Sequence, residues 1–93
     1  MTKIYSKNPD VVFRKIADEF ILVPIRQKAV DLKSVYTLNE AGAFIWEQID
    51  GSKPASQIKD RLAEEFEVEA SQAESDVESL LSQLETLTFI RPA

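Results

Sequence analysis

Residues 35–51 read VYTLNEAGAFIWEQIDG, and a change of period inside them sets the fold. Val35-Tyr36-Thr37-Leu38 is a short β-rich run, and beyond Asn39 the apolar residues recur at helical spacing. Asn39 stands between the two patterns with the short side-chain acceptor that an N-cap requires, so it ends a strand and starts a helix. On a helical wheel Ala41, Ile45 and Ile49 form one line, with Phe44 on one flank and Trp46 on the other. So wide an apolar arc predicts a helix wedged between a sheet and further helices. Gly42 lies on the Trp46 side of the arc, where a missing side chain permits close approach at ~1 kcal/mol of helix propensity. A buried aromatic packed on a glycine is the expectation there. Asp50-Gly51 should close the helix, with Gly51 in the left-handed C′ position.

Upstream, Val12 to Ala17 and Phe20 to Ile25 are two β-rich runs separated only by Asp18 and Glu19, the spacing of a tight hairpin. Phe20-Ile21-Leu22-Val23 is apolar on both alternating sets, which predicts a strand covered on both faces or shielded on one by a partner. Pro24 cannot donate to a ladder and belongs at an open edge, a bulge or the strand's end. A polar connection, Arg26 to Ser34, leads to the run at Val35. Downstream, Ala55, Ile58, Leu62 and Phe66 mark a second helix with Pro54 suited to its first turn, and Ala73, Val77, Leu80, Leu81, Leu84 and Leu87 mark a third. Phe89-Ile90-Arg91-Pro92 leaves as an extended tail. The order is β-β-β-α-α-α, one α+β domain spanning residues 1–93.

Composition removes most chemistry. The 93 residues are 44% hydrophobic, enough for one core, and contain no His and no Cys. Thiolate and imidazole zinc ligands, a cysteine nucleophile and the usual base for a serine nucleophile are therefore missing, so the expectation is no enzyme, no metal and no cofactor. The absence of Cys fits a reducing cytoplasm. No stretch is long and apolar enough for a signal peptide or a membrane span. The net charge of −5 is unevenly spread, with residues 1–33 at +3 and residues 34–93 at −8.

The helix-turn-helix spacing of the last two helices raises DNA binding, and charge opposes it. Residues 70–87 hold Glu74, Asp76, Glu78 and Glu85 and not one Lys or Arg, whereas groove recognition needs cations at phosphates and base edges. Nucleic acid is thus disfavoured, although Arg14, Lys15, Arg26 and Lys28 leave a basic N-terminal part. The acidic run Glu64, Glu65 and Glu67 has no His partner and reads as a solvated face. The third strand is the more informative element. Short and reached by a long polar connection, it is a candidate for a free edge that accepts an incoming strand. The same edge could instead pair with the tail near Phe89 and Ile90, or with a second subunit in a homodimer.

The residues Leu38-Asn39-x-x-Gly42-x-x-Ile45-Trp46, then Ile49-Asp50-Gly51, Ile58, the segment Leu62-Ala63-Glu64-Glu65-Phe66-Glu67-Val68 and the close from Leu84 to Ile90 resemble the PqqD-like family, named for pyrroloquinoline quinone synthesis protein D. The likeness covers about residues 12–91. It implies a winged helix-turn-helix-like domain with a three-stranded antiparallel sheet followed by three helices. It also implies a noncatalytic RiPP recognition element, which binds the leader of a ribosomally made precursor peptide as an added strand and presents it to a modifying enzyme, often a radical SAM protein. Carried onto this chain, the peptide site is Val35, Tyr36, Thr37 and Leu38 against Asp76, Leu80 and Gln83 of the third helix. Two departures stand out. Thr88 occupies the place where the family tends to have a Gly ending the third helix, and Glu69-Ala70 replaces a Ser-Pro lead-in.

Overall fold

In a computed structural model, which describes residues 2–25 and 35–93, the hairpin forms one residue earlier than the propensities place it. Strands β2 (Val11–Ile16) and β3 (Glu19–Pro24) pair antiparallel from Ile16↔Glu19 to Val11↔Pro24. The loop is therefore Ala17-Asp18 rather than Asp18-Glu19, and Ala17 takes the positive φ of 55° that the tight turn demands. Strand β4 (Tyr36–Leu38) adds on the other side of β3, giving an antiparallel sheet of order β2-β3-β4. Arg26 to Ser34, including the basic Arg26 and Lys28, lies outside the described residues.

Helices α1 (Glu40–Gln48), α2 (Ala55–Phe66) and α3 (Ala70–Thr86) follow. Their inward stripes meet one face of the sheet in a single cluster: Leu22, Ile58, Leu62, Val77 and Leu84 are at most 1% exposed. At ~25 cal/mol per Å² this cluster is the main favourable contribution to folding. Alternation along β3 separates its apolar residues. Phe20 and Leu22 turn to the helices, whereas Ile21 and Val23 lie on the opposite face, beside Arg14 and Val12, and are only half buried. Trp46 is core, as expected, at 3% exposure, and Lys7 lies with its ammonium 5.2 Å from the indole centroid. Burial lowers the Lys7 pKa, with Glu47 and Asp50 opposing the shift.

Beyond the expected three strands and three helices there is a second, two-stranded sheet. Strand β1 (Tyr5–Lys7) pairs with β5 (Ile90–Pro92), Tyr5 opposite Pro92 and Lys7 opposite Ile90. The tail thus joins the N-terminal segment, and among the described residues the outer edge of β4 has no strand beside it. Neither of these strands runs into a helix cap as β4 does at Asn39, and three residues without that cue carry too little alternation to be recognised in sequence.

Helix ends explain the family-pattern residues. Asp50-Gly51 does not cap α1 directly, since the helix closes at Ile49 in an extended conformation (φ −77°, ψ 106°). Gly51 does take a positive φ of 82°, two residues farther on, and its N–H donates to the Tyr5 carbonyl at 3.0 Å. The Asp50 carboxylate accepts from the Lys53 ammonium at 2.8 Å and from the backbone N–H groups of Ser52 and Lys53 at 2.9 Å. These bonds, led by the Lys53 side chain, hold its pKa well below the usual carboxylate range. Because the folded pKa is depressed, their stabilisation is present above the unfolded carboxylate pKa and is lost as pH falls toward the folded value.

Thr88 keeps the geometry that a glycine would have. Its φ is +61°, its N–H donates to Glu85 O at 3.0 Å, and the N–H of Phe89 donates to Leu84 O at 2.9 Å, the paired bonds of a Schellman motif. A β-branched residue in this conformation costs ~1–2 kcal/mol, only partly offset by the entropy a glycine would lose. Thr88→Gly is therefore expected to raise the unfolding free energy by about 1 kcal/mol, read as a higher denaturant midpoint at unchanged slope. At the other end of α3, Glu69 provides no side-chain cap, and only its carbonyl receives the N–H of Ala73 at 3.0 Å.

Candidate functional site

The hairpin register decides which backbone groups of β4 are free. A two-residue loop closes on a hydrogen-bonded pair, here Ile16↔Glu19, and such pairs alternate along the ladder. The bond from Ile25 N–H to Asp10 O, at 2.7 Å, falls on the same set. Glu19, Ile21 and Val23 therefore turn their amides to β2, and Phe20 and Leu22 turn theirs to β4, where they meet Leu38 and Tyr36. The N–H and C=O of Thr37 point to the outer edge. No described residue pairs with that edge.

Side chains alternate in step with these groups. Thr37 lies on the exposed face, while Tyr36 and Leu38 turn to the helices. Alongside runs a groove of about 600 Å³. Its strand side is Tyr36, Thr37 and Leu38, its floor includes Gly42 and Ile45 of α1, and its far wall is Asp76, Ser79, Leu80 and Gln83 of α3. The α3 residues expected at the site, Asp76, Leu80 and Gln83, thus share one wall, and the wheel position of Asp76 and Gln83 is the rim that faces the strand. Val35 precedes β4, half buried, and is not among the groove's lining residues. Leu80 is half buried, but Leu84, one turn on, is fully buried in the core and takes no part in the wall. The Tyr36 hydroxyl donates to Gln83 Oε1 and ties strand to helix across the groove.

Sequence reasoning did not assign Asn39, Ala41, Gly42, Ile45 and Ser79 to the site. For Gly42 the signal was available in its distance from Asn39. The Asn39 side chain accepts from Gly42 N–H at 2.7 Å, and a Cβ on Gly42 would stand 3.1 Å from Leu38 Cδ2 and 3.2 Å from Asn39 Oδ1. The close neighbours are thus Leu38 and Asn39, not Trp46. Gly42→Ala would gain ~1 kcal/mol of helix propensity but would push on a buried leucine and on the cap acceptor, at ~1–3 kcal/mol. A net loss of about 1 kcal/mol is expected by thermal or denaturant unfolding.

The family profile described as coenzyme PQQ synthesis protein D (PqqD) matches residues 19–90, most of the chain. The chain belongs to the PqqD family. In this PqqD-family chain the matched span begins at β3 and contains β4, all three helices and the whole groove. Two solved structures share the PqqD-like fold seen here. One is TbiB1 in complex with the TbiA(beta) leader peptide, with a TM-score of 0.73 and 22% identity over 92% of this chain and 94% of that one. The other is lasso peptide synthetase B1 complexed with the leader peptide, with a TM-score of 0.75 and 20% identity over 95% of this chain and 98% of that one. No curated protein matches the sequence. Among the described residues, no group of three or more carboxylates converges as a metal site, and no helix is long and apolar enough to cross a membrane.

Proposed function

We propose that this PqqD-family protein is a noncatalytic adaptor, residues 1–93 acting as one recognition domain, that captures the leader of a ribosomally made precursor peptide by strand addition. The observation that carries this is the edge at Thr37, unpaired among the described residues, beside a groove walled by α3. Main-chain bonds to the edge hold any extended peptide, and the groove selects its side chains. The two structural neighbours, each described with a bound leader peptide, support the same reading. The captured peptide is presented to a modifying enzyme, a radical SAM protein being one candidate class, in the cytoplasm.

Peptide contacts are assigned to the outward backbone groups of Val35 and Thr37, to Tyr36 and Leu38, whose side chains border the groove, and to the side chains of Asp76, Leu80 and Gln83. About four backbone bonds at ~1 kcal/mol and two buried anchors at ~2 kcal/mol, less ordering costs of ~2–5 kcal/mol, leave ~3–6 kcal/mol, and steering with extra contacts extends the affinity from the millimolar toward the micromolar range. Asp76 and the acidic α3, which lacks Lys and Arg, favour a leader with Lys or Arg beside its anchors, and binding should weaken as salt rises. The test is titration with peptides encoded beside the gene while the amide signals of residues 35–38 are followed. Saturable shifts centred on Thr37 are expected, and shifts confined to the hairpin would overturn the proposal. Sedimentation at the same concentrations separates peptide capture from edge-to-edge pairing of two copies.

A further inference from the structure

The groove is crossed at one end by a bond of the protein's own. The Tyr36 hydroxyl donates to Gln83 Oε1, and both residues border the main groove and a smaller hollow of about 280 Å³ beyond it, so the channel continues past the crossing. Thr37 lies on the main-groove side. Val35, whose outward groups come next along the edge, precedes Tyr36 and lies outside the main groove. Outward groups repeat at every second residue, ~6.8 Å along a strand, so a chain bonded to both Thr37 and Val35 has to pass Tyr36. On the helix wall the main groove runs from Asp76 to Gln83, ~10.5 Å of α-helix, the length of only about three extended residues.

We infer that the Tyr36–Gln83 hydrogen bond is an internal competitor of the captured peptide, and that Gln83 exchanges the Tyr36 hydroxyl for the peptide main chain. The inference rests on strand addition at Thr37, because only a chain laid along that edge meets the crossing. In such a chain the residues opposite Thr37 and Val35 turn their N–H and C=O to β4. The residue between them, opposite Tyr36, turns both groups the other way, to the α3 side where Gln83 stands. A carboxamide carries an acceptor oxygen and donor N–H groups, the complement of one main-chain N–H and C=O. Gln83 is thus a positioning residue that reads no side chain, and Tyr36 holds it in the free protein. Since one exposed neutral bond is given up on capture, the crossing lowers affinity about fivefold.

The test uses the described domain and a dodecapeptide enriched on it from a random phage-displayed library and chosen because Thr37→Pro loses it. Tyr36→Phe keeps the ring that packs against the core cluster and removes only the hydroxyl. It is expected to bind this peptide about fivefold more tightly, with the gain in the association rate, because the open groove no longer has to be populated first. In a Gln83→Met background the same change should leave affinity unaltered, and Gln83→Met alone should bind roughly tenfold more weakly than Tyr36→Phe. The Gln83 side-chain amide signals should shift as peptide is added. Equal or weaker binding by Tyr36→Phe, or a gain that persists with Gln83→Met, would overturn the exchange and leave strand addition standing. Enrichment only of peptides that bind Thr37→Pro as well as wild type, or no enrichment, would overturn both.

Discussion

Thr37→Pro is expected to weaken capture of an extended peptide by ~100-fold or more, about 3 kcal/mol, while the domain stays folded. The register makes the two halves of this result separable. The Thr37 amide points away from β3, so proline there removes no bond of the native ladder, and an edge strand tolerates the ring. For an incoming strand the same change deletes a donor and sets the ring in its path. Tyr36→Pro is the contrasting control. The Tyr36 amide faces Leu22, so proline there breaks the β3–β4 ladder and should lower the unfolding midpoint directly. Isothermal titration with a bound peptide, paired with thermal unfolding of both variants, checks the prediction. Wild-type affinity in Thr37→Pro would end the strand-addition mechanism.

How much of this was legible in the sequence depended on the length of each pattern. The long periodic stretches were legible: Ile58 and Leu62 of α2 and Val77 and Leu84 of α3 are core because a 3.6-residue stripe leaves them no other place. Asn39 was legible because strand and helix periods collide at it, and its side chain does cap α1. The β1–β5 pair was not legible, since three residues show no period and the partners lie at opposite ends of the chain. Nor were the backbone conformations of Ala17 and Thr88, which take left-handed φ values without the glycine that announces them. Gly51 was assigned the right conformation but the wrong role, because Ile49 leaves the helix in an extended conformation before the glycine is reached. For the site, the wheel put Asp76 and Gln83 on one rim of α3. Only the position of β4 shows that this rim faces the strand, because the sequence of one helix does not record how its neighbours cross it.

The same limit explains why two leucines one turn apart should respond in opposite ways to truncation. Leu80 and Leu84 share a stripe in sequence, yet Leu80 forms the groove wall and Leu84 is 0% exposed in the core. Leu84 also supplies the carbonyl that receives the Phe89 N–H, and both side chains belong to the buried cluster, so the turn that sends the chain into β5 is packed around it. Leu84→Ala is expected to cost ~3 kcal/mol, a transfer loss plus a cavity the rigid helix ends cannot collapse, against a total stability of ~5–15 kcal/mol. Leu80→Ala removes a half-buried side chain and should cost only ~1 kcal/mol of stability, while lowering peptide affinity roughly tenfold. Denaturant unfolding and peptide titration on both variants measure the pair of effects. Wild-type affinity in Leu80→Ala below its unfolding midpoint would mean that the α3 wall has no selective role, and that the edge of β4 alone holds the peptide.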